Sequence, residues 1–140
     1  MEAEHPEVKA RDRAKVTSSK DAHQILSGSW DAFRINLSEE FKVMLMNRAG
    51  RVLGIVPISS GGIHGTLADP KLIFSAALKG CATSIILCHN HPSGNLKPSQ
   101  ADIALTHKIS SGGSLLDITV LDHIILTEEG YLSFADEGLL

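Results

Sequence analysis

The chain has 140 residues, of which 43% are hydrophobic and 21% are charged, and its formal net charge is −3. This length suits one domain around a single core, and the composition is ordinary for a soluble globular protein. The sequence pI near 6.1 provides no broad electrostatic attraction to nucleic acid or to anionic lipid.

Signals for export or membrane insertion are not apparent. The charged N-terminal stretch, residues 1–15, lacks the hydrophobic segment of a secretory signal, and the apolar runs are too short to cross a bilayer. Cys81 and Cys88 have no CxxC or zinc-ribbon spacing, and we expect Cys88 to be a buried free thiol because it lies in an apolar run. These features predict a cytoplasmic protein with no membrane partner.

Residues 1–16 carry no periodic apolar pattern, so we expect a flexible N-terminal tail followed by a single domain over residues 17–140. Basic residues alternate along this tail, as they would in an arm that contacts DNA. Interspersed acidic residues dilute that charge and favour a solvated tail. Nucleic acid is therefore a conceivable partner that the charge does not support.

The first half of the domain predicts a helix and a β-hairpin. Ser18 or Ser19 suits the N-cap of a helix that ends near Gly28. Two apolar runs follow, over residues 40–47 and 51–59, and a segment that contains glycine separates them. This pattern is typical of a hairpin.

The middle of the chain predicts turns, a second helix and a buried strand. Residues 59–70 are rich in turn-forming residues and are expected to contain a short strand. Asp69 suits the N-cap and Pro70 the first position of a helix that stops at Gly80. The wholly apolar run that begins at Ser84 predicts a strand buried on both faces.

The last third predicts one more helix and two strands. The helix is expected from about Ser99 to Ser111, where Gly112 and Gly113 would end it. The run that begins at Asp117 predicts a strand, and a turn leads to a final short one. Helices that alternate with strands indicate an α/β or α+β fold with a mixed central β-sheet, in three layers at most.

Two histidines stand two positions apart where the buried strand ends. If strand geometry persists through His89 and His91, both imidazoles project to one face, because side chains alternate along a strand. Two nitrogen ligands placed in this way suit one zinc ion. Pro92 then breaks the strand pairing, and turn residues lead the chain towards the next helix.

Ser99 and Asp102 lie in the first turn of that helix and admit two interpretations. Asp102 could turn its carboxylate back to the metal as a third ligand, which would leave one position for water, as in catalytic zinc sites. Alternatively, the Ser-x-x-Asp spacing resembles a capping box, in which the acid also favours the helix dipole. A lone His-x-His is likewise more often incidental than metal-binding. The functional hypothesis therefore depends on the joint pattern H-x-H-x7-S-x2-D.

This pattern resembles the JAMM signature of the JAB/MPN metallopeptidases, in which a glutamate is followed downstream by H-x-H-x7-S-x2-D. The flanking sequences HNHPSG, KPSQAD and LDHIIL are similar to those of RadC-like proteins, a bacterial branch of that superfamily. The resemblance extends from about Ser38 to the C-terminus. It implies a JAB/MPN-like, cytidine-deaminase-like architecture of three layers.

Carried over by position, the resemblance implies that His89, His91 and Asp102 bind Zn²⁺. It also implies that Ser99 contacts the zinc-bound water or the developing oxyanion, a task that suits a preorganised donor. His123, in the Asp-His pair of LDHIIL, is typical of the family but is not implied as a ligand. We expect it in the core or in support of a ligand.

The glutamate of the signature has two adjacent candidates. In RadC-like sequences the acid stands two residues before the aromatic residue that starts the strand, which here matches Glu39 and Phe41. Periodicity agrees, because Glu39 shares a face with Phe41 whereas Glu40 shares one with Lys42. We therefore assign Glu39 as the general base, with Glu40 as the alternative. A solvated acid at the start of a strand is the plainer interpretation.

The function implied by the resemblance is a zinc-dependent hydrolase that cleaves a peptide or isopeptide bond with metal-activated water. RadC-like proteins also carry a historical association with DNA repair, but longer members have an upstream helical segment that we expect this chain to lack. A third alternative is a non-catalytic JAB/MPN interaction module, although such modules have lost ligands that are all present here. The expected partner is a peptide or protein substrate, and the sequence does not indicate an oligomeric state.

The literal tripeptide His89-Asn90-His91 does not indicate an HNH nuclease. That name describes residues scattered over a ββα-metal unit, whereas here Pro-Ser-Gly follows at once and the metal-spaced aspartate lies downstream. We expect Asn90 to point away from the two histidines and to serve the loop.

Overall fold

The computed structural model describes residues 12–61 and 68–140. In chain order its elements are α1 (Ser19–Gly28), a short 3₁₀ helix (Arg34–Asn36), β1 (Glu40–Met46), β2 (Val52–Ser60), α2 (Pro70–Lys79), β3 (Ser84–Asn90), α3 (Gln100–Leu115), β4 (Thr119–Leu126) and β5 (Tyr131–Ser133). The strands form one sheet in the order β2-β1-β3-β4-β5. Only the β3–β4 pair is parallel among these neighbours, so the predicted mixed sheet is confirmed.

Helices cover both faces of this sheet. On one face, α1 packs over a cluster that includes Leu26 and Met44. On the other face, α2 and α3 pack over a cluster that includes Ile73, Ile85 and Ile109. The three-layer α/β architecture expected from the alternating elements is therefore confirmed.

Local signals in the sequence set the beginnings of the helices. Ser18 caps α1 by accepting a hydrogen bond from a backbone N–H of the first turn. Asp69 caps α2 in the same way, and Pro70 occupies its first position, where a missing N–H costs nothing. The hairpin between β1 and β2 turns through Gly50, whose φ of 76° lies in the left-handed region that glycine adopts without strain.

α3 passes through the two glycines that we expected to end it. The helix continues to Leu115, so the predicted end at Gly112 and Gly113 is wrong. These glycines instead permit close packing, because a Cβ on Gly113 would lie 2.3 Å from the carbonyl oxygen of Ile118, just before β4. A Cβ on Gly112 would lie 3.1 Å from the ring of Phe74 in α2.

Part of the predicted tail and part of the turn segment, residues 1–11 and 62–67, lie outside the described residues. The last residues of the tail run beside the hairpin. The N–H of Val16 donates to the carbonyl of Gly50 at 2.9 Å, and the N–H of Val52 donates to the carbonyl of Ala14 at 2.8 Å. These contacts attach residues 14–16 to the turn between β1 and β2.

The thiols agree with expectation. Cys81 and Cys88 are both free, and Cys88 is buried, which raises the pKa of its thiol well above the usual value. Across the described ranges, none of the helices has the length and apolar character required to cross a membrane.

The parallel pair of strands defines the edge of the sheet where the motif lies. β3 and β4 end together, with Asn90 opposite Leu126. One residue beyond β3, the N–H of His91 still donates to the carbonyl of Leu126 at 2.9 Å. A loop then leads to the N-terminus of α3. In α/β sheets the carboxyl ends of strands are where ligands commonly bind.

Candidate metal centre

The imidazoles of His89 and His91 meet at the end of β3, with their Nε2 atoms 3.0 Å apart. They project to one face, as predicted, because side chains alternate along the strand and its continuation. His89 is only 3% exposed, whereas His91 is partly buried. Two ring nitrogens at this separation can both reach a single ion.

Asp102 brings a carboxylate to the same place from the first turn of α3. Its Oδ1 lies 3.4 Å from Nε2 of His89, and its Oδ2 lies 3.5 Å from Nε2 of His91. The backbone N–H of Ser99 donates to Oδ2 at 2.8 Å, and Ser99 Oγ accepts from the N–H of Asp102 at 3.0 Å. The capping box and the approach to the histidines therefore coexist, because a carboxylate accepts through two oxygens.

Ser99 stands beside this site as the N-cap of α3, and it is exposed. Its Oγ accepts from a backbone N–H, and a hydroxyl that accepts in this way retains a hydrogen with which it can donate. The role of Ser99 towards water or an oxyanion stays a prediction.

Glu39 immediately precedes β1 and approaches the two histidines from that side. Its Oε1 lies 3.7 Å from Nε2 of His91 and 4.0 Å from Nε2 of His89. One ligand atom from each of these three residues lies within 4.8 Å of the others, a grouping that could hold a metal ion. The geometry thus places Glu39 at the site, and its assignment as general base over Glu40 stays a prediction.

The donor set fits a metal ion. A four-coordinate ion with ligand distances of about 2.0–2.2 Å places its ligand atoms about 3.3–3.6 Å apart. Asp102 meets this range through two different oxygens, Oδ1 at 3.4 Å from His89 and Oδ2 at 3.5 Å from His91, and the 3.0 Å between the imidazoles is slightly shorter. Glu39, at 3.7 and 4.0 Å, stands farther out. The grouping with one ligand atom per residue joins Glu39 to the two histidines, and the assignment of Asp102 as the third ligand stays a prediction.

The contacts within this cluster shift two pKa values. The hydrogen bond to Asp102 raises the pKa of His91 against the opposing effect of burial. Burial by itself would raise the pKa of Asp102, but the neighbouring imidazoles of His89 and His91 outweigh it and hold that pKa well below its usual range. Asp102 is therefore ionised at neutral pH, as a carboxylate ligand must be.

The second nitrogen of His91 has a backbone partner. Its Nδ1 lies 2.6 Å from the carbonyl oxygen of Asn95. Because a carbonyl can only accept, Nδ1 carries the hydrogen, and the neutral ring then has its lone pair on Nε2, towards the cluster. Histidines that bind metals usually have such a partner on the other nitrogen.

Asn90 points to the opposite side of the sheet from the two histidines, as we expected. Its Nδ2 donates to the carbonyls of Ile35 and Ser38, each at 2.9 Å, and its Oδ1 accepts from the N–H of Glu40 at 2.7 Å. Asn90 therefore fastens the segment that carries Glu39 to the strand that carries the histidines. Its position between the histidines was the single sequence signal that pointed to it.

His123 is buried and contacts a histidine of the cluster, in agreement with the expectation of a core or supporting residue. Its Nε2 lies 2.7 Å from Nδ1 of His89. Burial lowers the pKa of His123 well below its usual value, with a further contribution from His89. Thr106 contacts the other ring nitrogen of His123, at 2.6 Å, and was not singled out from the sequence.

A family model described as RadC-like JAB domain matches residues 16–139. The chain belongs to this family. The RadC-like proteins inferred from the motif are thus confirmed as its relatives, and the match covers almost all of the predicted domain.

Curated relatives of this RadC-like JAB domain are known from several bacteria. The chain is 47% identical over 125 residues to a UPF0758 protein of Flavobacterium johnsoniae. This match covers 89% of this chain and 53% of that protein. It is 41% identical over 130 residues to a UPF0758 protein of Porphyromonas gingivalis, with 91% and 56% covered. A UPF0758 protein of Desulfitobacterium hafniense is 41% identical over 129 residues, with 91% and 55% covered. The chain spans about half the length of these relatives, whose names state no reaction.

Proposed function

We propose that this RadC-like JAB domain is a zinc-dependent hydrolase that cleaves a peptide or isopeptide bond. The observation that carries the proposal is the convergence of four side chains. The Nε2 atoms of His89 and His91 lie 3.0 Å apart, the two oxygens of Asp102 lie 3.4 Å from His89 and 3.5 Å from His91, and Glu39 stands beside them. Two histidines and one carboxylate form a ligand set typical of catalytic zinc, which leaves a position for water or substrate.

The two carboxylates take different roles in this proposal. Asp102 is the third ligand, because it approaches both histidines more closely and is held by the N–H of Ser99. Glu39 is the general base, because it stands farther from both histidines and its side chain is 22% exposed, where it can meet a water. A base must reach the proton of the attacking water without being occupied as a ligand.

Zinc, when bound, would polarise the scissile carbonyl and lower the pKa of a water towards about 7. Glu39 takes a proton from the attacking water as the oxygen of that water bonds to the carbonyl carbon. Glu39 then passes that proton to the nitrogen that leaves as the C–N bond breaks. The hydroxyl of Ser99 donates a hydrogen bond to the oxygen that gains negative charge.

Metal content tests the site directly. Purified wild-type protein is expected to hold about one zinc per chain, whereas His89→Ala and Asp102→Ala lose it. His107→Ala is a matched control, since this exposed histidine of α3 lies outside the cluster. A wild-type protein that holds no more zinc than the two site variants would contradict the proposal.

Activity separates the alternatives that remain. The zinc-loaded protein is assayed on linear peptides and on peptides joined through a lysine side chain, and hydrolysis of either class supports the proposal. Zinc binding without any hydrolysis would favour a non-catalytic module instead.

A role with DNA stays a prediction, and it requires duplex binding that weakens steeply as salt rises. The cytoplasmic location also stays a prediction.

A further inference from the structure

A chain of buried hydrogen bonds leads from His89 away from the cluster. Nδ1 of His89 lies 2.7 Å from Nε2 of His123, and Nδ1 of His123 lies 2.6 Å from Oγ1 of Thr106. The hydroxyl of Thr106 in turn donates to the backbone carbonyl of Asp102 at 2.7 Å. His123 and Thr106 are completely buried. Three elements, β3, β4 and α3, are thus joined behind the metal position.

The last acceptor in this series of hydrogen bonds, the carbonyl of Asp102, determines where the hydrogens of the series lie. A carbonyl can only accept, so the single hydroxyl hydrogen of Thr106 points to Asp102. Thr106 then offers His123 a lone pair, and Nδ1 of His123 must carry the hydrogen. Nε2 of the neutral His123 ring therefore accepts from Nδ1–H of His89.

The surroundings of His123 favour its neutral form. Its ring stacks on Phe134, with the centroids 4.5 Å apart, and meets Phe41 edge to face at 5.6 Å. An apolar environment of this kind disfavours a charged imidazolium. With His123 neutral, each hydrogen bond in the series from His89 to His123 to Thr106 has one possible direction.

We propose that Thr106 and His123 are positioning residues that hold His89 in the tautomer whose Nε2 lone pair faces the metal. The inference deepens the proposed function and rests on it, because the ligand role of His89 belongs to that proposal. Reversed hydrogen bonds would place a hydrogen on Nε2 of His89, where it would block coordination. Asp102 acts twice in this arrangement, since its carboxylate faces the metal and its carbonyl orients His89 through Thr106.

A β-bulge places His123 on the required face. Ile85 pairs with Val120, but Ile86 pairs with Asp122, so one extra residue is inserted in β4. Val120 packs in the cluster beneath α2 and α3, and strict alternation from it would turn His123 to the opposite face. The inserted residue brings His123 back beside His89. Bulges next to functional sites commonly re-aim a side chain in this way.

The tautomer of His89 can be measured without any metal. In metal-free wild-type protein at mildly alkaline pH, ¹⁵N NMR of the imidazole nitrogens is expected to show that Nδ1 of His89 carries a hydrogen. An unprotonated Nδ1 on His89 would overturn the proposal. This measurement does not depend on any variant being folded.

Three threonine variants supply the second test. Thr106→Val preserves shape but removes the hydroxyl, and we expect mixed His89 tautomers with about 10–100-fold weaker zinc binding in chelator competition. Thr106→Ser restores the hydroxyl and should restore both properties. Thr127→Val, which removes a hydroxyl bonded to Gly130 in the β4–β5 turn, is the matched control and should leave both unchanged. Wild-type tautomer and zinc affinity in Thr106→Val would overturn the positioning role.

The two proposals fail in distinguishable ways. Zinc binding by a wild-type protein whose His89 has the opposite tautomer would overturn the positioning role alone. The expected tautomer without any zinc binding would support the direction of the hydrogen bonds and overturn the proposed function.

Discussion

The peptide N–H of Glu40 donates a 2.7 Å hydrogen bond to Oδ1 of Asn90, which ties the residue after the proposed base to the residue between the two histidines. Asn90 is completely buried. It binds its partners on the face of the sheet opposite to the histidines, because successive residues of a strand point to opposite faces. The position of Glu39 relative to the histidines is therefore supported from behind the sheet.

Asn90→Ala is expected to lower the free energy of unfolding by about 2 kcal/mol or more, because it leaves one buried and two partly buried backbone groups without a partner, and a buried group in that state costs about 1–3 kcal/mol. Urea denaturation measures the change. Asn36→Ala is the control, since it removes an exposed amide bonded to Glu128 and should cost less than about 0.5 kcal/mol. Equal effects of the two substitutions would show that Asn90 does not fasten the two segments.

Glu39→Gln and Asp102→Asn are expected to have different effects on metal binding and on hydrolysis. Glu39→Gln should retain zinc but lower the hydrolysis rate by about 10²–10⁴, as loss of a general base does. Asp102→Asn should lose zinc, while its amide oxygen can still accept from the N–H of Ser99 in the helix cap. Glu40→Gln is the control for the adjacent acid. If Glu39→Gln lost zinc and Asp102→Asn retained it, Glu39 would be the metal ligand and Asp102 the general base.

Zinc affinity is expected to fall as pH decreases through the pKa of His91, because a proton and the metal compete for the same nitrogen. The hydrogen bond to Asp102 raises that pKa, so the decline should begin above the usual imidazole value of about 6.5. Isothermal titration over a pH series measures the affinity, and NMR of the metal-free protein measures the pKa. An affinity that stays constant until the pH is below 6.5 would contradict this prediction.

Gly113→Ala is expected to destabilise the fold by about 1–3 kcal/mol, the usual cost of overpacking. The added Cβ would meet the backbone carbonyl of Ile118 at 2.3 Å, and a backbone atom has little freedom to move away. Gly28→Ala is the matched control, because nothing lies within 4 Å of its Cβ position. That substitution should be neutral or stabilising by up to about 1 kcal/mol. Thermal unfolding of the two variants compares them, and similar midpoints would contradict the packing role of Gly113.

Capping residues and alternation along strands allowed much of this fold to be predicted from the sequence. The beginnings of α1 and α2 at Ser18 and Asp69 depend on one side chain and the N–H groups of the next turn, so neighbouring residues determine them. The end of α3 was predicted wrongly for the opposite reason. Gly113 resembles a helix terminator, but the nearby backbone of Ile118 explains it, and that contact forms only when β4 returns along the helix.

The same distinction applies to the candidate metal centre. The sequence alone was enough to predict that His89 and His91 share a face and that Asp102 lies in a first helical turn, because these relations depend on the short-range periods of strands and helices. The register of the whole sheet decided the rest. Pairing of β1 with β3 brings Glu39 to the histidines, and the bulge in β4 turns His123 towards His89. Residues distant in sequence meet only where strand pairing and core packing fix their relative positions, and that requires the tertiary structure.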